Sequence, residues 1–364
     1  MYPDWPESAA DLLPLPRCDG PKLEPFQFHG PQKIEFLHYI SEGLVSHVFK
    51  VRIEGEIYAL KLFRFVDESV WGDEFSPENL DAPTLSVFAD YSEPFNCECR
   101  AFGRLQETGN EDLANKCYGY LLLDEEHENI VMNQFNHPQI EFGGDAEGYG
   151  FDDARERFLG KDGRQPPIRG IVKEFGQDRQ DLTTRVAKKY LRDIIRFQQL
   201  SIFNLDPGQR QLVDNKVADF TTAITIPHFM TNPELNPNLT PEQISDIEFQ
   251  VFYLCSGDYW AFDEMIKDWN ILHSSKLKVY AFPCGRGCHT NYYLRNQSPR
   301  RYYTYVDPRK LEGVSKKCKP ARWYYDAKGK TAMTLRNIWP RSSRLNWELK
   351  DGHIFPIRRY PDTW

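Results

Sequence analysis

Ser46-His47-Val48-Phe49-Lys50-Val51-Arg52-Ile53-Glu54-Gly55-Glu56-Ile57-Tyr58-Ala59-Leu60-Lys61-Leu62-Phe63 is the stretch that decides the fold class. Phe49, Val51 and Ile53 alternate with Lys50 and Arg52, the period-two pattern of a half-buried strand. Glu54-Gly55-Glu56 reads as a tight turn, and Ile57–Phe63 as the strand that returns from it. Just upstream, Ile34-Glu35-Phe36-Leu37-His38-Tyr39-Ile40 is strand-like as well. Three short strands joined by turns make an antiparallel meander.

Outward from the meander, residues 1–30 are rich in Pro and contain Cys18-Asp19-Gly20-Pro21, an arm with turns. Residues 65–99 hold nine acids and no Lys or Arg, which reads as a loop insertion leading into a helix near Phe95–Leu105. A second polar insertion covers roughly 124–166, broken by Gly143-Gly144-Asp145 and Gly148-Tyr149-Gly150. Ile168–Phe175 resembles another strand. Val186, Tyr190, Ile194 and Phe197 mark one face of a helix. Thr240-Pro241-Glu242-Gln243 has the capping Thr, first-turn Pro and later Gln of a helix start. Ile244, Ile247, Val251 and Leu254 continue its apolar face.

The 364 residues carry 45 basic and 53 acidic side chains, and 14% are aromatic, which excludes a fully disordered chain. No stretch approaches 18 consecutive apolar residues, so a membrane span is not expected, and the first residues lack a secretory leader pattern. Eight irregularly placed cysteines read as reduced thiols. Cys284-Gly285-Arg286-Gly287-Cys288-His289 lacks the second ligand pair of a structural zinc site and reads as a Gly-rich turn, so no metal is expected. The net charge of −8 hides a division. Residues 276–364 hold 20 Lys and Arg against 6 acids, and the remainder holds 25 against 47. That asymmetry points either to a polyanionic partner or to one half docking on the other.

Taken in order, these pieces resemble a divergent protein-kinase lobe. Ile40–Val48, with Gly43, stands where a Gly-rich phosphate loop would. Ala59-Leu60-Lys61 matches the strand that presents the ATP-phosphate lysine, and Glu98 its helix partner. Asp206, in Ile202-Phe203-Asn204-Leu205-Asp206, falls at the catalytic loop. Asp219, in Val217-Ala218-Asp219-Phe220-Thr221, falls at the metal-binding Asp. The departures are Asn204-Leu205 for His-Arg, Gly208 for the phosphate-contacting Lys, Gln211 for the magnesium-binding Asn, and Thr221 for Gly. Phosphoryl transfer depends on positioned cations, so protein-kinase activity is not expected. The expected fold is α+β, a divergent protein-kinase-like two-lobed fold with a basic C-terminal extension. Its parts are an arm over 1–30, an N-lobe with acidic insertions over 31–175, a helical C-lobe over 176–275, and a basic aromatic segment over 276–364.

A closer resemblance is to the fungal proteins grouped with the kinetochore subunit called Fta-two. It rests on Cys18-Asp19-Gly20-Pro21-Lys22-Leu23, Phe36–Lys50, Tyr58–Phe65 and Val217–His228, and covers roughly residues 15–230. The arginine-containing cyclodipeptide synthases of fungal secondary metabolism, which consume aminoacyl-tRNA, resemble members of this wider set. Two functions are therefore implied. The leading one is cytoplasmic, aminoacyl-tRNA-dependent synthesis of an arginine-containing cyclic dipeptide, with arginyl-tRNA among the partners. The alternative is a nuclear, non-catalytic kinase-fold scaffold of an inner kinetochore complex, with kinetochore subunits or centromeric DNA as partners.

A kinase-shaped pocket would gather Glu42, Glu98, Glu174, Asp206 and Asp219 around the single cation Lys61. Such a pocket suits a guanidinium substrate, since carboxylates bind that group bidentately. On this reading Asp206, Asp219, Lys61 and Glu98 are the catalytic candidates and Glu42 and Glu174 bind substrate. The other reading is a metal–nucleotide site surviving from a kinase ancestor. No cofactor is required, and residual ATP and magnesium binding stays open. In the basic segment Arg295, Arg300, Arg301, Lys316, Lys317 and Arg322 lie among aromatics, a composition suited to phosphates and unpaired bases. An ordinary aromatic core with solvated charges has the same composition.

Overall fold

The computed structural model describes residues 2–67, 70–71, 82–135, 140–143, 154–176, 181–228, 231, 241–281, 321–325, 333–337, 347–350 and 353–356. The fold is mixed α/β, with a five-stranded antiparallel sheet and several helices. The chain divides into two units, Met1–Asp178 with Lys216–Thr222, and Arg179–Asn215 with Ala223–Trp364.

The first unit is organised by the sheet. β1 (Ile34–Gly43), β2 (Ser46–Ile53) and β3 (Glu56–Phe63) form the expected meander. β4 (Cys117–Leu122) and β5 (Arg169–Glu174) complete it in the order β1-β2-β3-β5-β4. Ser46 pairs with Phe63 and Ile53 with Glu56 across the Glu54-Gly55 turn. The alternating Phe49, Val51 and Ile53 are buried with Ile34, Phe36, Leu60, Leu62, Leu121 and Val172 in one apolar cluster. Leu60 and Leu62 face that cluster, so period two turns Lys61 to the opposite face of β3. On β5, Lys61 is in register with Ile171 and Phe63 with Arg169, which brings Arg169 and Lys173 to the same face as Lys61.

That face is covered by α2 (Pro94–Glu107). Glu93 caps it by accepting from the Asn96 amide at 3.2 Å, and Pro94 stands at its first position. The preceding α1 (Ala82–Ser92) corrects the reading of residues 65–99 as a loop. Leu85, Phe88 and Ala89 are buried at helical spacing, a short signal masked by the acids around it. The polar stretch 124–166 likewise contains α3 (Glu125–Gln134) and the single turn α4 (Ala154–Arg157). Asp124 caps α3 through the His127 amide at 2.8 Å, and its first-turn acids suit the positive helix end.

The N-terminal arm is built into this unit. Phe26 donates its amide to Tyr120 O at 2.7 Å and Tyr120 donates to Glu24 O at 3.1 Å, so the arm lies along the outer edge of β4. The approach requires glycine at two places. A Cβ on Gly119 (φ 132°) would lie 2.7 Å from Glu24 O, and one on Gly103 of α2 would lie 2.4 Å from Lys22 O. Tyr2 is buried against Phe65, with ring centroids 4.9 Å apart.

The second unit contains α5 (Thr184–Gln199) and α6 (Pro241–Leu272). Thr183 caps α5, which buries Tyr190, Ile194 and Phe197 of the anticipated face and adds Ala187 and Leu191. α6 begins at Pro241 and buries Tyr259, Phe262, Met265 and Ile266. β6 (Ile202–Phe203) pairs with Ile224–Thr225. Two antiparallel pairs follow, Ala321–Tyr325 with Met333–Asn337 and Trp347–Lys350 with His353–Pro356. Among the described residues no helix is long and apolar enough to cross a membrane.

Candidate functional site

Lys61, at the centre of β3, donates from Nζ to Glu98 Oε2 at 2.8 Å and to Asp219 Oδ1 at 2.9 Å. Glu98 lies in the middle of α2, fully buried, and its other oxygen accepts from Lys173 Nζ at 2.6 Å. Lys173 also donates to Ala218 O at 2.8 Å. Both oxygens of Glu98 are thus held by ammonium groups from two neighbouring strands.

Asp219 reaches this group on the segment Lys216–Thr222, which belongs to the first unit. Asn115 donates its amide to Val217 O at 2.9 Å, and the Phe220 ring meets Phe102 of α2 edge-on at 5.2 Å. Asp219 Oδ1 also accepts from the amide and hydroxyl of Thr221, each at 2.9 Å. Thr221, where a kinase carries Gly, therefore closes a small turn on its own carboxylate. Burial alone would raise the Asp219 pKa, but Lys61, then Lys173, then the Lys61 and Thr221 hydrogen bonds hold it well below the usual carboxylate range. Burial likewise opposes the charge on Lys61, and Asp219 and Glu98 more than offset it, so its pKa is raised. The formal charge of two lysines and two carboxylates is zero.

The same sheet face carries a second buried pair. Arg169 Nη1 lies 2.8 Å from Glu93 Oε1, with side-chain exposures of 1% and 0%. The guanidinium stands 4.4 Å from the ring centroids of Tyr2 and Phe65. Burial pushes the Glu93 carboxyl up, with Arg169 acting against it.

Asp206 and its surroundings belong to the second unit. Its Oδ2 accepts from Arg210 and, at 2.8 Å, from Gln211 Nε2. Gln211 Oε1 accepts from Asn204 Nδ2 at 3.2 Å. The loop that carries Asp206, with Leu205 at φ 62°, is anchored by Asp258 of α6. Asp258 accepts the amides of Leu205 at 2.8 Å and Asn204 at 3.3 Å, and the Gln198 side chain at 3.1 Å. Burial pushes its carboxyl up from 3.8 to about 7, against those three donors. A raised carboxylate contributes most stability below its unfolded pKa and loses it as pH rises through the folded one. Between pH 4 and 7 the wild type should therefore lose about 1.4 kcal/mol per unit relative to Asp258→Asn. Urea unfolding of both proteins across that range checks it, and parallel profiles would refute it.

Sequence reasoning placed Lys61, Glu98 and Asp219 in one site, and the fold brings these three together. It named Lys61 as the single cation and missed Lys173. Glu42 accepts from Arg64 Nη2 at 2.5 Å, and Glu174 lies 3.8 Å from Lys216 Nζ, so neither joins the Lys61 group. Arg295, Arg300, Arg301, Lys316, Lys317 and Cys284–His289 lie outside the described residues, and Arg322 falls in a strand whose register alone is described. Arg169 and Lys173 carried a readable signal, two cations four apart in the apolar run Ile168–Val172 and its end. Among the described residues no three His, Cys, Asp or Glu side chains converge to hold a metal ion.

The model of the family described as kinetochore Sim4 complex subunit FTA2 matches residues 12–224. The chain belongs to this family. No curated protein matches it. Membership corrects the leading expectation: nothing in an FTA2 match supports cyclic-dipeptide synthesis, an aminoacyl-tRNA or arginyl-tRNA partner, or secondary metabolism. The geometry of this FTA2-family chain supplies a physical reason. The carboxylates expected to grip a guanidinium substrate already hold cations of the chain itself: Glu98 holds Lys61 and Lys173, Asp219 holds Lys61, Glu42 holds Arg64, Asp206 holds Arg210 and Glu174 lies near Lys216.

Proposed function

We propose that this chain is a non-catalytic scaffold subunit of a kinetochore complex, of the kind named Sim4, built on a kinase-like two-lobed plan and working in the nucleus. The observation that carries the reading is the FTA2 match over residues 12–224. Support for the kinase-like plan comes from the order of parts: a glycine-bearing hairpin, Lys61 on the third strand, Glu98 on the covering helix, and Asp219 thirteen residues after Asp206. The arm 1–30, N-lobe 31–175, C-lobe 176–275 and basic segment 276–364 are the parts this plan proposes.

In a kinase the Asp of Asp-Phe-Gly and the catalytic-loop Asn hold the two magnesium ions. Here Gln211 stands in place of that Asn and spends its amide on Asn204 and Asp206, and the scaffold reading calls for no cofactor. The ion pairs of Glu98 with Lys61 and Lys173 fix α2 against the sheet, which suits a subunit whose task is to present a surface.

A fluorescent fusion expressed in a fungal host tests the reading. One focus per nucleus, persisting through division, is the expected result. A diffuse cytoplasmic signal from an intact, soluble fusion would overturn it.

A further inference from the structure

Phe26 and Phe28 of the arm, Tyr58 of β3 and Tyr118 of β4 are each half-buried, at the rim of the apolar cluster of the first unit. Their rings form a continuous row. Phe28 meets Phe26 with centroids 4.9 Å apart, Phe26 meets Tyr58 at 5.8 Å, and Tyr58 meets Tyr118 at 5.0 Å. Each plane is turned by 70–78° from the last, so the row bends into corners and does not stack flat. The rings are held in place by main chain, since the arm is bonded to Tyr120 of β4 through Phe26 N and Glu24 O.

The surroundings of this row are acidic. Period two puts Glu56 on the same face of β3 as Tyr58, and the register sets Glu174 of β5 directly across from Tyr58. Burial, then Tyr118, Glu56 and Glu54, push the Tyr58 hydroxyl up, and burial, then Glu174 and Glu56, do the same to Tyr118. Every charged neighbour acting on the two hydroxyls is therefore a carboxylate. Glu54 already holds His29 at 2.6 Å, and Glu174 lies 3.8 Å from Lys216. Glu56 is exposed and has no hydrogen bond or ion pair among the described residues. The chain itself shows what rings here accept. Lys116 Nζ stands 4.9 Å from the Tyr118 centroid, and Lys50 Nζ 4.5 Å from that of Phe175, the residue after Glu174.

We propose that the corner formed by Phe26, Tyr58 and Tyr118 with Glu56 is a docking site for a lysine side chain on a basic segment of a partner protein. The charge decides the class of partner. An anion is repelled here, and a purely apolar partner would bury Glu56 without a mate, which desolvation penalises. A lysine suits both halves of the site, because its apolar stem lies along rings while its ammonium stays beside carboxylates. The ring quadrupoles add to that attraction, since their negative faces draw a cation. This inference goes beyond the scaffold reading and does not rest on it.

The test uses the full-length protein and a short fluorescein-labelled peptide with lysine at alternate positions and serine between, alongside the same peptide with every lysine acetylated. Affinity is read by fluorescence anisotropy at about 50 mM salt, where screening is weak. Wild type should bind the lysine peptide and not the acetylated one, since acetylation removes the charge and leaves the stem. Tyr58→Leu/Tyr118→Leu should weaken binding at least about fivefold, whereas Tyr58→Phe/Tyr118→Phe, which keeps both rings, should change it less than about twofold. Glu56→Gln should weaken it about threefold, a size suited to one exposed charge. Three results would overturn the proposal: no binding of the lysine peptide by wild type, equal binding of the acetylated peptide, or a Leu variant that binds as wild type does. The last would mean that general acidity, and not the rings, holds the peptide. Should the Leu variant not fold, Glu56→Gln at its exposed position decides, and unchanged affinity there would likewise overturn the site.

Discussion

Glu98→Ala is expected to destabilise the protein by about 3–5 kcal/mol, because it leaves two ammonium groups in a site closed to water. Lys61 and Lys173 are 3% and 6% exposed, and Glu98 is their shared partner. Lys61 retains Asp219, whereas Lys173 keeps the neutral Ala218 carbonyl and the Phe102 ring, so the penalty falls mostly on Lys173. Glu98→Gln combined with Lys173→Met removes the orphaned charge and should recover more than half of the loss, since deleting both partners of a buried pair is far cheaper than deleting one. Denaturant unfolding of the two variants gives the comparison. A double variant no more stable than Glu98→Ala would show that the pairs are incidental. The pH window follows from the two displaced groups. Asp219 is lowered from 3.8, so its contribution is complete above about pH 4 and is lost as pH falls through the folded value. Lys61 is raised from 10.5, so its contribution is complete below that and is lost as pH climbs past it.

Arg169→Leu should be about as damaging, again about 3–5 kcal/mol. The substitution strands the Glu93 carboxylate, which is 0% exposed, and removes a cation from beside the Tyr2 and Phe65 rings. Arg169→Lys is not a mild change here, because a lysine has neither the flat face that meets those rings nor the second arm that reaches Arg64 O at 3.1 Å. Calorimetry should register a fall in melting temperature of roughly 10 °C for Arg169→Leu. A fall of under about 2 °C would mean that Glu93 finds another partner or binds a proton at little cost.

What the sequence made legible was whatever repeats with a short period. The meander followed from alternation in residues 46–63, and α5 from apolar spacing over Val186–Phe197, since burial on one face imprints itself on neighbouring residues. α1 and β4 were not legible for opposite reasons. α1 offers only Leu85, Phe88 and Ala89 beside an acid-rich stretch, and β4 has Gly119 at a register shift, where two residues oppose one and the alternation breaks. Lys61, Glu98 and Asp219 could be named because a resemblance supplied their order. Lys173 and Arg169 had only their spacing in an apolar run as a signal, and that signal is ambiguous, because a charge in an apolar strand reads equally as an edge residue until the strand is known to be central. The acidic pocket failed as a chemical idea for a related reason: a sequence shows which carboxylates are present but not which cations already hold them. Asp258 lies more than fifty residues from the loop it anchors, a distance that no local pattern spans.

The strand order has a consequence for how the chain is made. β5 is the last strand of the sheet to leave the ribosome, yet it takes the place between β3 and β4. Until residue 174 has emerged, the nascent meander presents the bare side of β3, and β4 has no neighbour except the arm that was translated first. Unpaired strand edges of this kind are templates for wrong partners. Tyr2 and α2 wait on the same event, because Tyr2 packs on Arg169 and Glu98 binds Lys173. Synthesis of this chain thus includes a long vulnerable interval, closed for the sheet by six residues, and expression that slows translation before residue 169 will lengthen it.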